Sequence, residues 1–199
     1  MSVRAVRNIA APNYPVATKE YSPQAQDQYT NVLRLFCNSV ANAINAPRVM
    51  ASLYDTTTQT NPVANTAMPI TMNTVAALYG VKIGSPSSKV YVSEDGVYNI
   101  QFSIQADKTG GGAQPFYIWL RINGIDVPYS ASKVVISGPN SEMIPAWNFV
   151  QVLKGNDYFE LMWSSPDTAM FLPTVAASPP VPAIPSVILT VTWVSNIPV

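Results

Sequence analysis

Chemistry in a protein needs a nucleophile with a base, a pair of acids or a cage of metal ligands, and this chain is poor in all three. It has no histidine and one cysteine, Cys37. A histidine-dependent triad, an internal disulfide framework and a conventional zinc site are therefore excluded. No Gly-x-Ser-x-Gly string is present, so acyl transfer lacks its nucleophile. Asp107, Asp126, Asp157, Glu160 and Asp167 are the carboxylates from which a glycosidase pair could be drawn. Yet Asp107, Asp157 and Asp167 stand in turn settings, and Glu160 alternates outward between Phe159 and Leu161. Gly110-Gly111-Gly112 imitates a phosphate loop, but no Lys-Ser/Thr follows and strand-like segments flank it, so a hairpin loop is expected. Acidic residues at EF-hand spacing are missing too. The expectation is a chain without catalysis, cofactor or metal.

Binding needs surface aromatics instead. Tyr117 and Trp119 lie on the face opposite Phe116 and Ile118, so that strand carries apolar bulk on both sides. A two-sided strand is either central in a sandwich or lines a subunit interface. Trp147, between Pro145 and Phe149, and Trp193 are candidates for core or interface anchors or for stacking platforms against a host glycan. Four prolines in the run 178–185, Pro180 and Pro182 among them, lack the donor a central strand needs, so this run reads as a stiff surface loop. Trp147, Pro180 and Pro182 are the candidates for external contact.

The elements that position these residues are mostly strands. In GVYNIQFSIQA (96–106), Tyr98, Ile100, Phe102 and Ile104 point one way and Asn99, Gln101, Ser103 and Gln105 the other. That period of two predicts a strand with one dry and one polar face, and the dry face needs a second sheet to cover it. Further strands are expected near 66–73, 76–83, 89–93, 115–123, 132–137, 147–154, 157–164, 169–176 and 186–194. Turn chemistry such as Asn123-Gly124 and Gly155-Asn156-Asp157 separates them. Strands in this number and spacing indicate a two-sheet sandwich or barrel.

Before the strands come an arm and a helix. Residues 1–21 hold Pro12 and Pro15 without sustained periodicity and read as an extended arm, too apolar to be happily solvated. Val3, Arg4, Val6, Arg7, Ile9 and Tyr14 are its candidate particle-docking residues. Ser22 and Pro23 open a helix that Pro47 closes after Ala46. Tyr29, Leu33, Phe36, Val40 and Ala43 alternate spacings of four and three, with Val32, Ile44 and Cys37 widening the stripe. That is the seam of a short coiled coil, and Cys37 reads as an apolar filler of it. Tyr29, Leu33, Phe36, Val40 and Ile44, with Tyr117 and Trp119, are the candidate trimer-interface residues.

Composition points to a covered surface. The chain has 199 residues, room for one sizeable core and an appendage. Hydrophobic residues make up 48% and charged residues 11% of it, the latter less than half the usual share of about 25%. So little charge is expected where copies or partners cover the outside. Net charge is zero without a basic run, which argues against nucleic acid. No apolar run approaches 18 residues, and Arg4 and Arg7 are followed by Asn8 and Pro12, not by an apolar block. Neither a membrane nor a secretory route is expected, and synthesis in a reducing cytoplasm is.

Four strings carry a family resemblance: KVYVSEDGVYNIQFSIQ (89–105), FYIWLRINGIDVPYS (116–130), WNFVQVLKGNDYFELMW (147–163) and VILTVTWV (187–194). They resemble the jelly roll of tumour-necrosis-factor and complement globular-head domains. With YDTTTQTNP (54–62) and the helix TNVLRLFCNSVANAI (30–44), the chain is similar to C-terminal domains of tailed-bacteriophage virion proteins. The resemblance covers residues 46–199, and 22–45 loosely. It implies a mainly β, antiparallel jelly-roll sandwich preceded by an extended arm and one helix, assembled as a homotrimer on the virion exterior. The implied partners are its own copies, the major capsid protein or another virion protein, and a host surface glycan. A capsid decoration, cement or head-fibre role is expected, with a receptor-binding tail-fibre or tail-tip module as the alternative. The last strand lacks the Phe-x-Gly pattern of the complement heads, so ligand sites of those relatives do not carry over.

Overall fold

The computed structural model describes residues 11–15, 19–45, 49–138 and 141–197, except for the side chains of 42–45. The chain forms two units, Met1–Pro47 and Arg48–Val199, each taken by itself.

In the first unit, helix α1 (Pro23–Asn45) begins where its cap was expected. The Ala25 amide donates to Ser22 Oγ at 3.4 Å, and the Gln26 amide donates to the Ser22 carbonyl at 3.0 Å. Twenty-three residues make a rod of about 35 Å. The helix was expected through Ala46, which lies outside the described residues.

The second unit is a two-sheet sandwich. Its strands are β1 (Met50–Asp55), β2 (Gln59–Thr60), β3 (Met68–Pro69), β4 (Thr74–Tyr79), β5 (Val81–Ile83), β6 (Val90–Val92), β7 (Gly96–Ile104) and β8 (Asp107–Lys108). After them come β9 (Gln114–Ile122), β10 (Ile125–Asp126), β11 (Ser132–Ile136), β12 (Ala146–Leu153), β13 (Tyr158–Ser164), β14 (Met170–Leu172) and β15 (Val187–Ser195). One sheet runs β12-β7-β15-β1-β4. The other runs β10-β9-β13-β6-β5, with β11 on β9 and β3 on β13. A small third sheet, β2-β14-β8, is hydrogen-bonded to neither, and Met170 and Leu172 of its central strand join the same core. All pairings are antiparallel. The first and last long strands lie side by side, and the chain passes back and forth between the sheets, which makes the sandwich a jelly roll.

The dry stripe of β7 sits where its periodicity demands. Tyr98, Ile100, Phe102 and Ile104 are buried against Phe116, Ile118 and Leu120 of β9 and Phe159, Leu161 and Trp163 of β13 within one core. Each such side chain contributes roughly 1.5–3 kcal/mol on leaving water. Trp147 joins the core margin, its ring edge-on to Phe102 at 4.7 Å and near Phe149 at 6.4 Å.

Two glycines set the path. Gly80, at φ +65°, breaks the expected strand 76–83 into β4 and β5 and hands the chain from one sheet to the other. At Gly96 an added Cβ would lie 2.1 Å from Trp193 Nε1, so β7 starts with glycine because the closing strand's indole lies on it.

The stretch YDTTTQTNP holds the fold through two buried polar residues, Asp55 and Asn61. The Asp55 carboxylate accepts from the Thr57 amide at 2.8 Å, from Asn73 Nδ2 at 3.1 Å and from Thr71 Oγ1 at 2.9 Å. Gln59 exchanges hydrogen bonds with the Thr71 backbone, and Asn61 Nδ2 donates to the Ser165 carbonyl at 2.9 Å. Burying polar groups costs little only when they are paired; among the described residues the Asn61 Oδ1 is left without a partner.

Candidate functional site

The five carboxylates are each engaged elsewhere. Asp157 accepts from Asn123 Nδ2 and from the Lys154 amide, both at 2.8 Å, and so closes a turn. Asp107 Oδ1 accepts from the Lys108 amide at 2.6 Å. Glu160 faces away from Phe159 and Leu161 as expected, but it is buried and accepts from Ser88 Oγ at 2.6 Å. Asp126 Oδ1 accepts from Arg121 Nε at 2.7 Å and Trp119 Nε1 at 2.8 Å, and these two donors hold its carboxyl below the usual range.

Asp167 meets Lys108, whose side chain is wholly buried, at 2.8 Å. Lys108 Nζ also donates to the Gly112 carbonyl. The triglycine loop therefore folds over an internal ammonium group, a role that spacing alone does not reveal. The Lys108 hydrogen bond, with a second from the Ala169 amide, lowers the Asp167 carboxyl. Among the described residues no three His, Cys, Asp or Glu side chains gather as a metal site. None of the described helices is long and apolar enough to cross a membrane.

Of the expected docking residues, Val3, Arg4, Val6, Arg7 and Ile9 lie outside the described residues. Tyr14 is exposed, yet its ring stacks on Tyr29 with centroids 6.0 Å apart, and Tyr29 Oη donates to the Pro15 carbonyl at 2.5 Å. A candidate docking residue and a candidate seam residue thus touch each other. Along the helix Leu33 and Leu35 are exposed, while Val32, Phe36 and Val40 are half-buried. Ile44 is helical, and its side chain lies outside the description. Pro180 and Pro182 are exposed in a segment 175–184 that forms a narrow loop, closed by bridges Ser178–Val181 and Val175–Ile184.

The outward faces of the two large sheets differ sharply. On β9 the outward residues are Tyr117, Trp119 and Arg121, with Lys133 beside them on β11; Met162 and Glu160 lie on the same side of β13 but are buried. This face mixes aromatic and charged groups. The other sheet presents Met50, Ser52 and Tyr54 from β1, Val97, Asn99, Gln101 and Ser103 from β7, and Ala146, Asn148, Val150 and Val152 from β12. Ile188, Thr190, Thr192 and Val194 of β15 and Thr74, Ala77 and Tyr79 of β4 complete it. None of these residues is charged. Val150 is 59% exposed, Val152 54%, Met50 45% and Ile188 42%. One register row reads Val150, Asn99, Thr192, Met50, Tyr79 across all five strands.

The face ends in an unprotected edge. Among the described residues β12 pairs only with β7, and its eight residues AWNFVQVL contain neither charge nor proline. Exposed edges ordinarily carry Lys, Pro or a bulge because they otherwise pair with another chain. The sequence puts the interface on the helix seam Tyr29, Leu33, Phe36, Val40 and Ile44 together with Tyr117 and Trp119; the charge-free face is a further candidate, visible only once five strands are aligned. No protein-family model matches the chain, and no curated protein matches it.

Proposed function

We propose that the chain is a non-enzymatic structural protein of a tailed-bacteriophage particle, assembled as a homotrimer on the virion exterior. The observation that carries self-assembly is the charge-free outer face of the β12-β7-β15-β1-β4 sheet, continuous with its uncharged edge. With strands about 4.8 Å apart and six to nine residues long, the face is roughly 20 Å by about 20–30 Å, between half and three quarters of the roughly 800 Å² that each partner gives a standard interface. The edge β12 adds to this area. When the edge of one protomer meets the face of the next, the contact is heterologous, and rotation about an axis closes it into a ring.

The particle assignment rests on the resemblance of the strand strings and of residues 54–62 to phage virion domains. In this reading the arm fastens the trimer to the major capsid protein or another virion protein, as a decoration, cement or head-fibre subunit. A receptor-binding tail module is the second reading, and the exposed loop 175–184, which holds no charged residue, favours it.

Removal of residues 1–21 tests the docking role. The truncated protein is expected to keep its oligomeric mass and melting temperature and to lose binding to particles stripped of the wild-type protein, as read by co-sedimentation. Full decoration by the truncated chain would show that the arm is not the anchor.

A further inference from the structure

The aromatic and charged face of the second sheet carries groups that the fold leaves unused. Trp119 and Tyr117 stand two residues apart on the outward side of β9, about 6.7 Å along the strand. Trp119 is half-buried and Tyr117 exposed, and neither belongs to the core. Tyr129 is wholly exposed and sits at φ +62°, a backbone conformation a bulky residue seldom adopts. Its neighbour Ser130 ties it to β9, because Ser130 Oγ accepts from the Leu120 amide at 3.1 Å and donates to the Val127 carbonyl at 2.8 Å. Leu120 is the residue between Trp119 and Arg121. The positive φ of Tyr129 belongs to the turn Val127–Ser130, which the Ser130 amide closes on the Val127 carbonyl at 3.3 Å, and the turn leaves the Tyr129 ring out in solvent.

The polar groups beside these rings have capacity to spare. Asp126 uses one oxygen to hold Trp119 and Arg121, and its side chain remains 54% exposed. Among the described residues its second oxygen and the Arg121 terminal nitrogens have no hydrogen-bond partner. A flat indole, a planar carboxylate and a planar guanidinium held in fixed relation are suited to a sugar. The ring's C–H face lies on the aromatic, and adjacent hydroxyls donate to the carboxylate and accept from the guanidinium. Arg121 and Asp126 neutralise each other, so the pair beside the indole carries no net charge.

From this juxtaposition we propose that Trp119, Tyr129, Arg121 and Asp126 form a binding site for a neutral hexopyranose polymer. The site stands on the sheet opposite the charge-free face and rests on the reading that self-assembly uses that other face, since an interface at Tyr117 and Trp119 would cover it; it rests on neither particle position. It places external contact here and not at Trp147, whose ring is engaged with Phe102.

The test is calorimetric titration of the full chain with maltohexaose, laminarihexaose, cellohexaose and chitohexaose, and with the anionic polymer polysialic acid. At least one neutral oligosaccharide is expected to bind. Trp119→Ala, Tyr129→Ala and Asp126→Asn are expected to weaken it tenfold or more, with Trp147→Ala within twofold of wild type. The Tyr129 variant removes a fully exposed ring, so its loss of binding is not a loss of fold; unchanged melting checks this. The proposal is overturned if none of the neutral oligosaccharides binds, if polysialic acid alone binds, or if binding survives Trp119→Ala and Tyr129→Ala together.

Discussion

Val150→Asp combined with Met50→Asp is expected to convert the assembled protein to monomers while the sandwich stays folded. Both side chains point outward in one register row and are about half exposed, so in a lone protomer each carboxylate would simply be hydrated. Surface changes of that kind ordinarily shift stability by less than about 0.5 kcal/mol. Across a closed interface the same carboxylates lose water without a cation to pair with, because no Lys or Arg stands on the face. Truncations that leave one charge buried and unpaired cost about 3–5 kcal/mol, and a ring repeats the insertion at each contact. Sedimentation velocity reads the mass, and far-ultraviolet circular dichroism reads the fold. An oligomer that survives both substitutions would move the interface away from this sheet, toward Tyr117 and Trp119 or to the helix alone.

Asp167→Asn is expected to be among the most destabilising single changes at any polar position. Lys108 has no exposed surface, and its ammonium group is held by the Asp167 carboxylate and the Gly112 carbonyl. Removing the carboxylate's charge leaves an internal cation facing only neutral acceptors, at a cost of about 3–5 kcal/mol, or a melting temperature lower by about 10 °C for a domain of this size. Lys108→Met should cost less, because Asp167 is 18% exposed and water can take over its solvation. The double variant should recover part of the loss, and the double-mutant cycle gives the coupling directly. Acid has the same effect by another route. Asp167 has its carboxyl lowered by Lys108 and the Ala169 amide, so this contribution is complete above the ordinary carboxylate range and is lost as pH falls through the lowered value. The wild type should therefore lose stability on acidification more steeply than Asp167→Asn does.

Much of the jelly roll is legible in the sequence because its inward residues alternate. Strands β7, β9, β13 and β15 carry Ile, Leu, Phe, Val and Trp at every second position, and a period of two has one physical reading. β1 is not legible. Its inward residues are Ala51, Leu53 and Asp55, and an aspartate pointing inward breaks the pattern unless its partners Thr57, Thr71 and Asn73 are known. Lys108 is hidden for the same reason, since a lysine beside three glycines looks like a solvated turn until Asp167 arrives from 59 residues away.

The surfaces were legible in kind and not in place. Asn99, Gln101 and Ser103 read correctly as a polar outward face of β7. That β1, β12, β15 and β4 continue it without one charge depends on strand order, which no single segment contains. Tyr117 and Trp119 likewise read correctly as outward aromatics, but the ties to Asp126 and the exposed Tyr129 come from a hairpin and a loop whose closure only the fold supplies.

The mass of the intact chain in dilute solution, by native mass spectrometry or sedimentation equilibrium, tests self-assembly most directly. The account predicts a particle of three times 21.5 kDa that persists at micromolar concentration. A stable species of 21.5 kDa under the same conditions would contradict it.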